Sequence, residues 1–425
     1  MTLADPDTVT AGMSGAAAAH SASQGGARVR DLRLDFFRGI AMFIILFAHT
    51  PGNFFTSWIP ARWGFSDATE IFVFCSGMAS AIAFGSTFDR AGFALGTARV
   101  AYRVWQVYWA HVGLFVATVA LVVFLTDLEI TGRNYWGQLN LWPLFVESER
   151  WTNQDIWLSF VTLRYVPNYF DILPMYMVVL IMMPVIMALS RVNLWLVAAF
   201  IALTWLMGQR ALTETLGLPH WNFLAEPWVK DNGSQREWFF NPFGWQLIFF
   251  TGFAFMRGWL PKPPVNTTLI ALALFLVLAN IPLSNIGVRE FGFDWAREWR
   301  IGNRAWITKS DFGILRYVHF LALAYICWVA AGDKGARLLA TGAGLWARIW
   351  QRLLSIILKV GQQSLAVFIV SMFTARFSGF AMDVLGRDVW TVVAVNLAGM
   401  GVLVLTAYSA GWFKSQPWRT RKAGA

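Results

Sequence analysis

Three ionisable residues lie on one face of the first long apolar segment of the chain. Asp35, Arg38 and His49, together with Met42 and Ile45, are spaced by three or four residues, so a helix would place them in one row. The rise from Asp35 to His49 would be about 21 Å, and the hydrocarbon core of a membrane is about 30 Å thick. Ionisable groups are costly in a bilayer and usually face a cavity or a partner. The row therefore predicts a helix that carries polar chemistry across much of a membrane.

His49 is the candidate general base, because a neutral imidazole can take a proton from a hydroxyl group. Carboxylates that could orient its ring open two later apolar segments: Asp67 and Glu70 begin the second, and Asp171 begins the fourth. We predict that Glu70 or Asp171 assists His49 in catalysis. Acidic residues are equally suited to cap the helices that they begin, and at this point both interpretations stay open.

Polar and basic side chains are expected at both ends of the same membrane region. Arg316 and His319 lie three residues apart near the start of the eighth apolar segment and could bind an acidic substrate group or a developing oxyanion. Interfacial side chains reaching toward water would show the same spacing. In the polar stretch 361–365, Ser364 could line a cavity or bond a neighbouring helix.

Composition restricts the class of protein. The chain has 425 residues, of which 57% are hydrophobic and 14% charged, and its mean hydropathy is +0.51, as expected of a multi-pass membrane protein. The net charge of +10 is dispersed among apolar segments, which favours membrane orientation over nucleic-acid binding. Cys75 and Cys327 both fall in apolar segments, so we expect neither a disulfide framework nor a metal site.

The predicted fold is all-α, with about ten transmembrane helices and both termini in the cytoplasm. Residues 1–27 are expected to form a disordered cytoplasmic tail, 28–412 a transmembrane domain and 413–425 a basic cytoplasmic tail. The orientation follows from the excess of Lys and Arg over acidic residues in the loops on the side of the N-terminus. The expected spans are 35–52, 67–86, 104–126, 171–190, 193–209, 243–260, 266–283, 312–331, 355–377 and 390–411.

Four sequence blocks, in order along the chain, resemble a known family. Leu34-Asp35-x-x-Arg38-Gly39 with His49 is similar to the first helix of the transmembrane acyltransferase superfamily. The other three blocks, at 68–77, 168–176 and 361–368, resemble its OpgC branch, and the likeness covers roughly 30–410. The resemblance implies a bacterial inner-membrane enzyme that moves succinyl groups from cytoplasmic succinyl-coenzyme A to hydroxyls of osmoregulated periplasmic glucans. The residues then expected to bind substrate are Asp35, Arg38, Asp67, Ser76, Asn168, Arg316, His319 and Ser364.

The resulting hypothesis is a membrane O-acyltransferase with His49 as base and Glu70 and Asp171 as further catalytic residues. It needs no bound cofactor, since succinyl-coenzyme A is a substrate; its partners are that donor, a periplasmic glucan and the lipid bilayer, without nucleic acid. Two alternatives stay open. The chain could be a transporter or flippase for a glycan or an organic acid, with the same charges along a permeation path. It could also be the same type of enzyme using acetyl-coenzyme A.

The orientation can be tested with topology reporters. With a reporter that is active only in the cytoplasm, a fusion at Ala425 should give a signal and an insertion within 127–170 should give none. The reason is that the loop bias puts the two positions on opposite sides of the membrane. An insertion near Arg191, a position expected on the cytoplasmic side, serves as the control. Equal signals from Ala425 and 127–170 would contradict the arrangement of ten spans with the two positions on opposite sides.

Overall fold

The computed structural model describes residues 31–419, and the predicted tail 1–27 lies outside this range. The chain is 72% helical, and no β-strand occurs in the range described. The α-helices are α1 Leu32–His49, α2 Pro60–Trp63, α3 Ala68–Ser80, α4 Ser86–Asp127, α5 Asn153–Val161, α6 Ile172–Val192, α7 Leu194–Met207, α8 Arg210–Leu216, α9 Pro242–Arg257, α10 Thr267–Ala279, α11 Asn285–Arg289, α12 Asp294–Gly302, α13 Arg304–Ile307, α14 Ile314–Ala331, α15 Leu345–Gln362, α16 Ser364–Leu385 and α17 Val389–Ser415. Short 3₁₀ segments cover Phe54–Trp58, Gly137–Leu139, Trp142–Leu144 and Asp333–Leu338, and a π-turn at Ala81–Gly85 joins α3 to α4.

Five helical elements between residues 31 and 419 are long and apolar enough to cross a membrane. They are Ala68–Asp127, Ile172–Val192, Ile314–Ala331, Ser364–Leu385 and Val389–Ser415, and α7 with α8, bent by 87°, would make a sixth. α1 carries three charged side chains, while α9 and α10 are only 16 and 13 residues long. The prediction of an all-helical membrane protein is confirmed; the count of ten spans and the orientation stay predictions.

The 60-residue element Ala68–Asp127 is broken at Gly92. Gly92 has φ 82° and ψ 178°, which are not helical values. Arg99 donates to the hydroxyl of Thr87 at 2.5 Å, although twelve residues of straight helix would separate the two by about 18 Å. The chain therefore turns sharply here, and glycine is suited to this positive φ. The break falls between the two expected spans 67–86 and 104–126.

α1 lies at the centre of the bundle and contacts α3, α15, α16 and α17. It crosses α15 at two glycines. A Cβ on Gly39 would collide with the carbonyl of Ile357, and a Cβ on Gly361 would collide with the carbonyl of Asp35. Close backbone approach of this kind is how small residues bring membrane helices together. α3 and α9 cross in the same way, with Gly77 against the carbonyl of Phe249 and Gly252 against that of Phe74.

The expected single span at 355–377 is wrong, because the helix ends at Gln362 and a new one begins at Ser364. The polar residues of α15, among them Arg348, Arg352 and Lys359, recur every three or four positions, which makes the helix amphipathic. Its Trp350 ring donates to the carbonyl of Leu338 at 2.6 Å, in the segment that follows α14. The apolar run that suggested one span thus combines the end of an amphipathic helix with the start of a membrane helix.

The long connections 127–170, 210–242 and 284–311 are folded and contain short helices. The second is fastened to the third through His220. Its Nδ1 lies 3.4 Å from Glu237 and its Nε2 lies 3.5 Å from Asp311. Burial alone would lower the pKa of His220, but the bonds to Asp311 and Glu237 outweigh it and raise the pKa to about 9. A charged His220 therefore links the loop 210–242, where its partner is Glu237, to the end of the loop 284–311, where its partner is Asp311.

The close crossing of α1 and α15 should not accept a side chain larger than that of glycine at position 39. Gly39→Ala should lower the free energy of unfolding by about 1–3 kcal/mol, because the added methyl group overpacks α1 against the backbone of α15. Gly113→Ala is the matched control, since Gly113 lies within α4 and a Cβ there would meet no atom within 4 Å. Unfolding of the purified proteins in detergent measures both effects. Equal stability of the two variants would contradict the close crossing.

Candidate active site

His49 is the last residue of α1 and is oriented by its own helix. Its Nδ1 lies 2.8 Å from the carbonyl oxygen of Ile45, one turn earlier. Because a carbonyl oxygen only accepts hydrogen bonds, Nδ1 carries the proton and Nε2 keeps the lone pair. The side chain is partly exposed. A histidine held in this way presents Nε2 as a proton acceptor with a fixed direction.

The wall beside His49 is formed by Tyr169 and Arg376. The Tyr169 ring meets the imidazole edge-on at 5.4 Å between centroids, and the guanidinium of Arg376 lies 4.0 Å above the same tyrosine ring. The Tyr169 hydroxyl donates to the carbonyl of Met372 at 2.5 Å. Tyr169 has φ 92°, a conformation that costs energy in a residue with a side chain and that clusters at functional sites. These contacts hold the strained residue against His49.

A network of two acids and two cations lies next to this wall. Glu70 Oε1 accepts from Arg316 Nε at 2.8 Å and from its Nη2 at 2.5 Å, and the two side chains are 0% and 9% exposed. Lys309 lies 2.5 Å from Asp67, and Arg316 lies 3.7 Å from the same carboxylate. The charges of Lys309, Asp67 and Arg376 are close enough to act on His49. The network therefore brings the starts of α3 and α14 to the end of α1.

Asp67 and Glu70 also form the cap that their spacing allowed. The Asp67 carboxylate accepts from the Thr69 amide at 2.7 Å, and Glu70 Oε2 accepts from the Asp67 amide at 2.8 Å. The capping interpretation is therefore correct for these two acids, and each binds a cation with its other carboxylate oxygen. The cap fixes the directions in which the two carboxylates meet Arg316 and Lys309.

His319 contacts the segment that precedes α3. Its Nδ1 accepts from the Ser66 amide at 3.3 Å and lies 2.8 Å from the Ser66 hydroxyl. Gly64 lies so close that a Cβ there would collide with the imidazole ring. Since Nδ1 accepts from an amide, Nε2 of neutral His319 carries the proton and can donate it in a hydrogen bond. The residue therefore fastens α14 to the chain leading into the acid pair.

Asp171 and Asn168 face another group. The Asp171 carboxylate accepts from the Phe239 amide at 3.4 Å, and it makes no capping bond to α6. Asn168 accepts from Arg236 at 2.6 Å, and Arg236 also pairs with Glu226 at 2.7 Å. The two residues thus join the start of α6 to the loop 210–242. The plain capping role considered for Asp171 is not what the structure has.

The expected orientation of His49 by a carboxylate is replaced by a backbone bond. The hydrogen bond found at His49 Nδ1 is to Ile45, while Glu70 is directed at Arg316 and Asp171 at the Phe239 backbone. The reason is geometric: the last turn of α1 supplies a carbonyl within reach of Nδ1. A direct catalytic role of Glu70 or Asp171 stays a prediction.

The opposite end of α1 meets further cations. Arg38 donates to the hydroxyl of Ser364, and Gln363 accepts from Lys414 at 2.7 Å. Arg38 and Arg103 lie close enough to Lys414 for their charges to act on it. The Nε of Arg38 is buried and has no hydrogen-bond partner within residues 31–419. This end of the bundle can therefore accept a multiply charged anion.

Asp35 and Ser76 lie within the packed part of the bundle. Asp35 is 5% exposed, beside the crossing of α1 with α15, and Ser76 is 4% exposed, beside Gly77 in the crossing of α3 with α9. The charges of both Asp35 and Arg38 act on Cys75, so α1 and α3 are neighbours here. The predicted row on α1 is thus buried among helices rather than turned toward lipid.

Sequence reasoning missed Arg376 and Lys309. Arg376 lies in the middle of the largely apolar helix α16, and a charged residue in such a segment is itself an indication of function. That signal could have found it. Lys309 lies in a polar connection where cations are ordinary, and only the fold brings it to Asp67.

The geometry describes an all-helical membrane protein in which α1 ends at an oriented histidine and has cations near its other end. Comparison with models of known protein families identifies the family to which the chain belongs. The model of the OpgC protein family matches residues 30–415, and the chain belongs to that family. Membership implies an acyltransferase-type role in glucan modification. No curated protein and no solved structure matches the chain.

The buried pair Glu70–Arg316 should behave as a unit. Glu70→Gln should cost about 3–5 kcal/mol in the free energy of unfolding, because it leaves a buried guanidinium unpaired, and adding Arg316→Met should recover much of that loss. The exposed pair Arg62–Glu290 gives the control: Arg62→Gln should cost about 0–1 kcal/mol. Additive losses in the double variant would contradict the pairing. A stable but inactive double variant would assign Glu70 or Arg316 a role in the reaction.

Proposed function

We propose that this chain is a membrane O-acyltransferase that moves a succinyl group from cytoplasmic succinyl-coenzyme A to a hydroxyl of a periplasmic glucan, in a bacterial inner membrane. The observation that carries the proposal is the orientation of His49, whose Nδ1 is bound to Ile45 so that Nε2 is left as the base. Family membership supplies the reaction class, an acyltransferase acting in glucan modification.

The reaction needs a base, an attack and a leaving group. His49 Nε2 takes the proton of a glucan hydroxyl while the oxygen attacks the thioester carbonyl carbon. The tetrahedral oxyanion develops near Lys309 and Arg376, whose positive charges act on the same region. The C–S bond then breaks, and the coenzyme A thiolate takes the proton from the imidazolium. The products are a glucan ester and the free thiol, and His49 is again neutral.

Delivery of the donor uses the other end of α1. The cations Arg38, Arg103 and Lys414 suit the phosphates of coenzyme A. Arg38 and His49 are eleven residues apart, or about 16 Å of helix rise, which a pantetheine arm can follow. The nucleotide would stay at the Arg38 end while the thioester reaches His49. Glucan hydroxyls would approach from the His49 end, where aromatic side chains such as Tyr169 can stack on sugar rings.

The proposed base can be tested by substitution. His49→Ala should lower acyl transfer about 10²–10⁴-fold, because a positioned base is lost. His111→Leu is the control: His111 is a fully buried histidine of α4 whose ring nitrogens have no hydrogen-bond partner within the described range. It should retain activity. The readout is the mass of glucans, isolated from cells with each variant, in which each succinyl ester adds a fixed increment.

Two results would contradict the proposal. Succinylation by His49→Ala at the wild-type rate would remove the histidine from the mechanism. Glucan masses that are the same with and without the wild-type protein would remove the reaction. Thioester hydrolysis by purified protein separates the enzyme from the transporter alternative, because a transporter leaves the C–S bond intact.

A further inference from the structure

A cavity of about 140 Å³ lies beside the acid–cation network of Asp67, Glu70, Lys309 and Arg316. Its polar lining consists of Asp67, Asn285, Arg300, Lys309 and Arg316, supplied by the segment before α3, by α11 and α12, and by the chain leading into α14. The cavity thus gathers three cations and one acid from parts of the sequence that are more than 200 residues apart. None of the sequence blocks pointed to Arg300.

The charges around this cavity do not cancel. Lys309 is matched by Asp67 at 2.5 Å, and Arg316 is matched by Glu70 at 2.5 Å. Arg300 donates to the carbonyl of Leu283 at 2.8 Å, a neutral acceptor. Burial lowers the pKa of Arg300, and the charges of Arg289 and Arg316 lower it further, so a positive charge is held here at a cost. An anion in the cavity would relieve that cost.

The cavity adjoins the position where the acyl group would react. Lys309 and Asp67 line it, and the charges of the same two residues act on His49. A short acyl chain whose thioester carbonyl lies at His49 would therefore direct its far end toward Lys309 and Arg300. A neutral chain end would gain nothing from these cations, whereas a carboxylate can take charge-assisted hydrogen bonds from the fork of an arginine.

We infer that this cavity binds the free carboxylate of a dicarboxylic acyl chain and that Arg300 is the residue that selects such a chain over a neutral one. The inference rests on the proposed acyl transfer, and it adds the reason for a succinyl rather than an acetyl or other uncharged group. Asn285, which also lines the cavity, donates from its side-chain amide to the Ala61 carbonyl at 3.2 Å and so holds α11 to α2.

Binding of two donors of equal carbon number tests the selection. Succinyl-coenzyme A and butyryl-coenzyme A both carry four-carbon acyl groups, and only the first ends in a carboxylate. Titration calorimetry on the purified full-length protein should show that Arg300→Gln weakens succinyl-coenzyme A about 10- to 100-fold and leaves butyryl-coenzyme A unchanged. Arg297→Gln is the matched control, because Arg297 lies on the same helix with a side chain that is 58% exposed. It should leave both affinities as in the wild type.

Three results would overturn the inference: an unchanged affinity of Arg300→Gln for succinyl-coenzyme A, an equal loss for both donors, or the same loss in Arg297→Gln. If Arg300→Gln binds neither donor because it is misfolded, Arg300→Lys decides. Lysine keeps the positive charge but lacks the planar pair of donors of a guanidinium, so Arg300→Lys should bind succinyl-coenzyme A more weakly and butyryl-coenzyme A as before. An equal loss of affinity for both donors, or no loss for either, overturns the inference.

The test separates this inference from the proposed function. Suppose that the wild-type protein prefers succinyl- to butyryl-coenzyme A through Arg300 yet leaves glucans unmodified. This result would support carboxylate binding in the cavity and contradict the proposal that a glucan is the acyl acceptor. Glucan succinylation that is unaffected by Arg300→Gln, with unchanged donor affinity, would support the reaction and overturn the role of the cavity.

Discussion

The ion pair between Glu70 and Arg316 is the interaction on which the arrangement of the site depends. Both side chains are almost fully buried, and charges can be kept in such a place only if each has its partner. The pair ties the start of α3 to the start of α14, and Asp67 extends it to Lys309 in the preceding turn. One side of this network faces the His49 region and the other lines the cavity with Arg300. A single buried contact thus fixes walls of both the His49 region and the cavity.

Close glycine packing supplies the frame around that pair. Gly39 and Gly361 bring α1 against α15, and Gly77 and Gly252 bring α3 against α9. Gly39, Gly77 and Gly361 stand in the four sequence blocks that carry the family resemblance, the first two next to Arg38 and Ser76. Their place in those blocks has a packing explanation, because a Cβ at each would meet backbone. Neighbouring residues of one motif can therefore have different roles: the glycine allows two helices to pack closely, and the polar residue beside it is available for binding or catalysis.

The sequence was sufficient wherever the determining contacts are local. Helix periodicity identified the row from Asp35 to His49, and the starts of three apolar segments identified Glu70, Asp171 and Arg316. It failed where the partner is distant or is backbone. The carbonyl of Ile45 carries no side-chain signal, and Arg300 and Lys309 lie in connections where cations are common. The division at Gln363 was missed because the polar stretch 361–364 is short and has apolar residues on both sides, so it was taken for the polar part of one continuous helix.

The bond from His49 to Ile45 has a consequence for the length of the donor. Since the imidazole is fastened to the helix that also carries Arg38, no joint separates the two. The number of residues between Arg38 and His49 therefore fixes the distance between the guanidinium and the imidazole. A molecule that contacts both groups has to span that distance. One inserted residue would turn the imidazole by about 100° around the helix axis, away from Tyr169 and Arg376. Substitutions in α1 leave the number of residues between Arg38 and His49 unchanged, whereas an insertion or a deletion alters it.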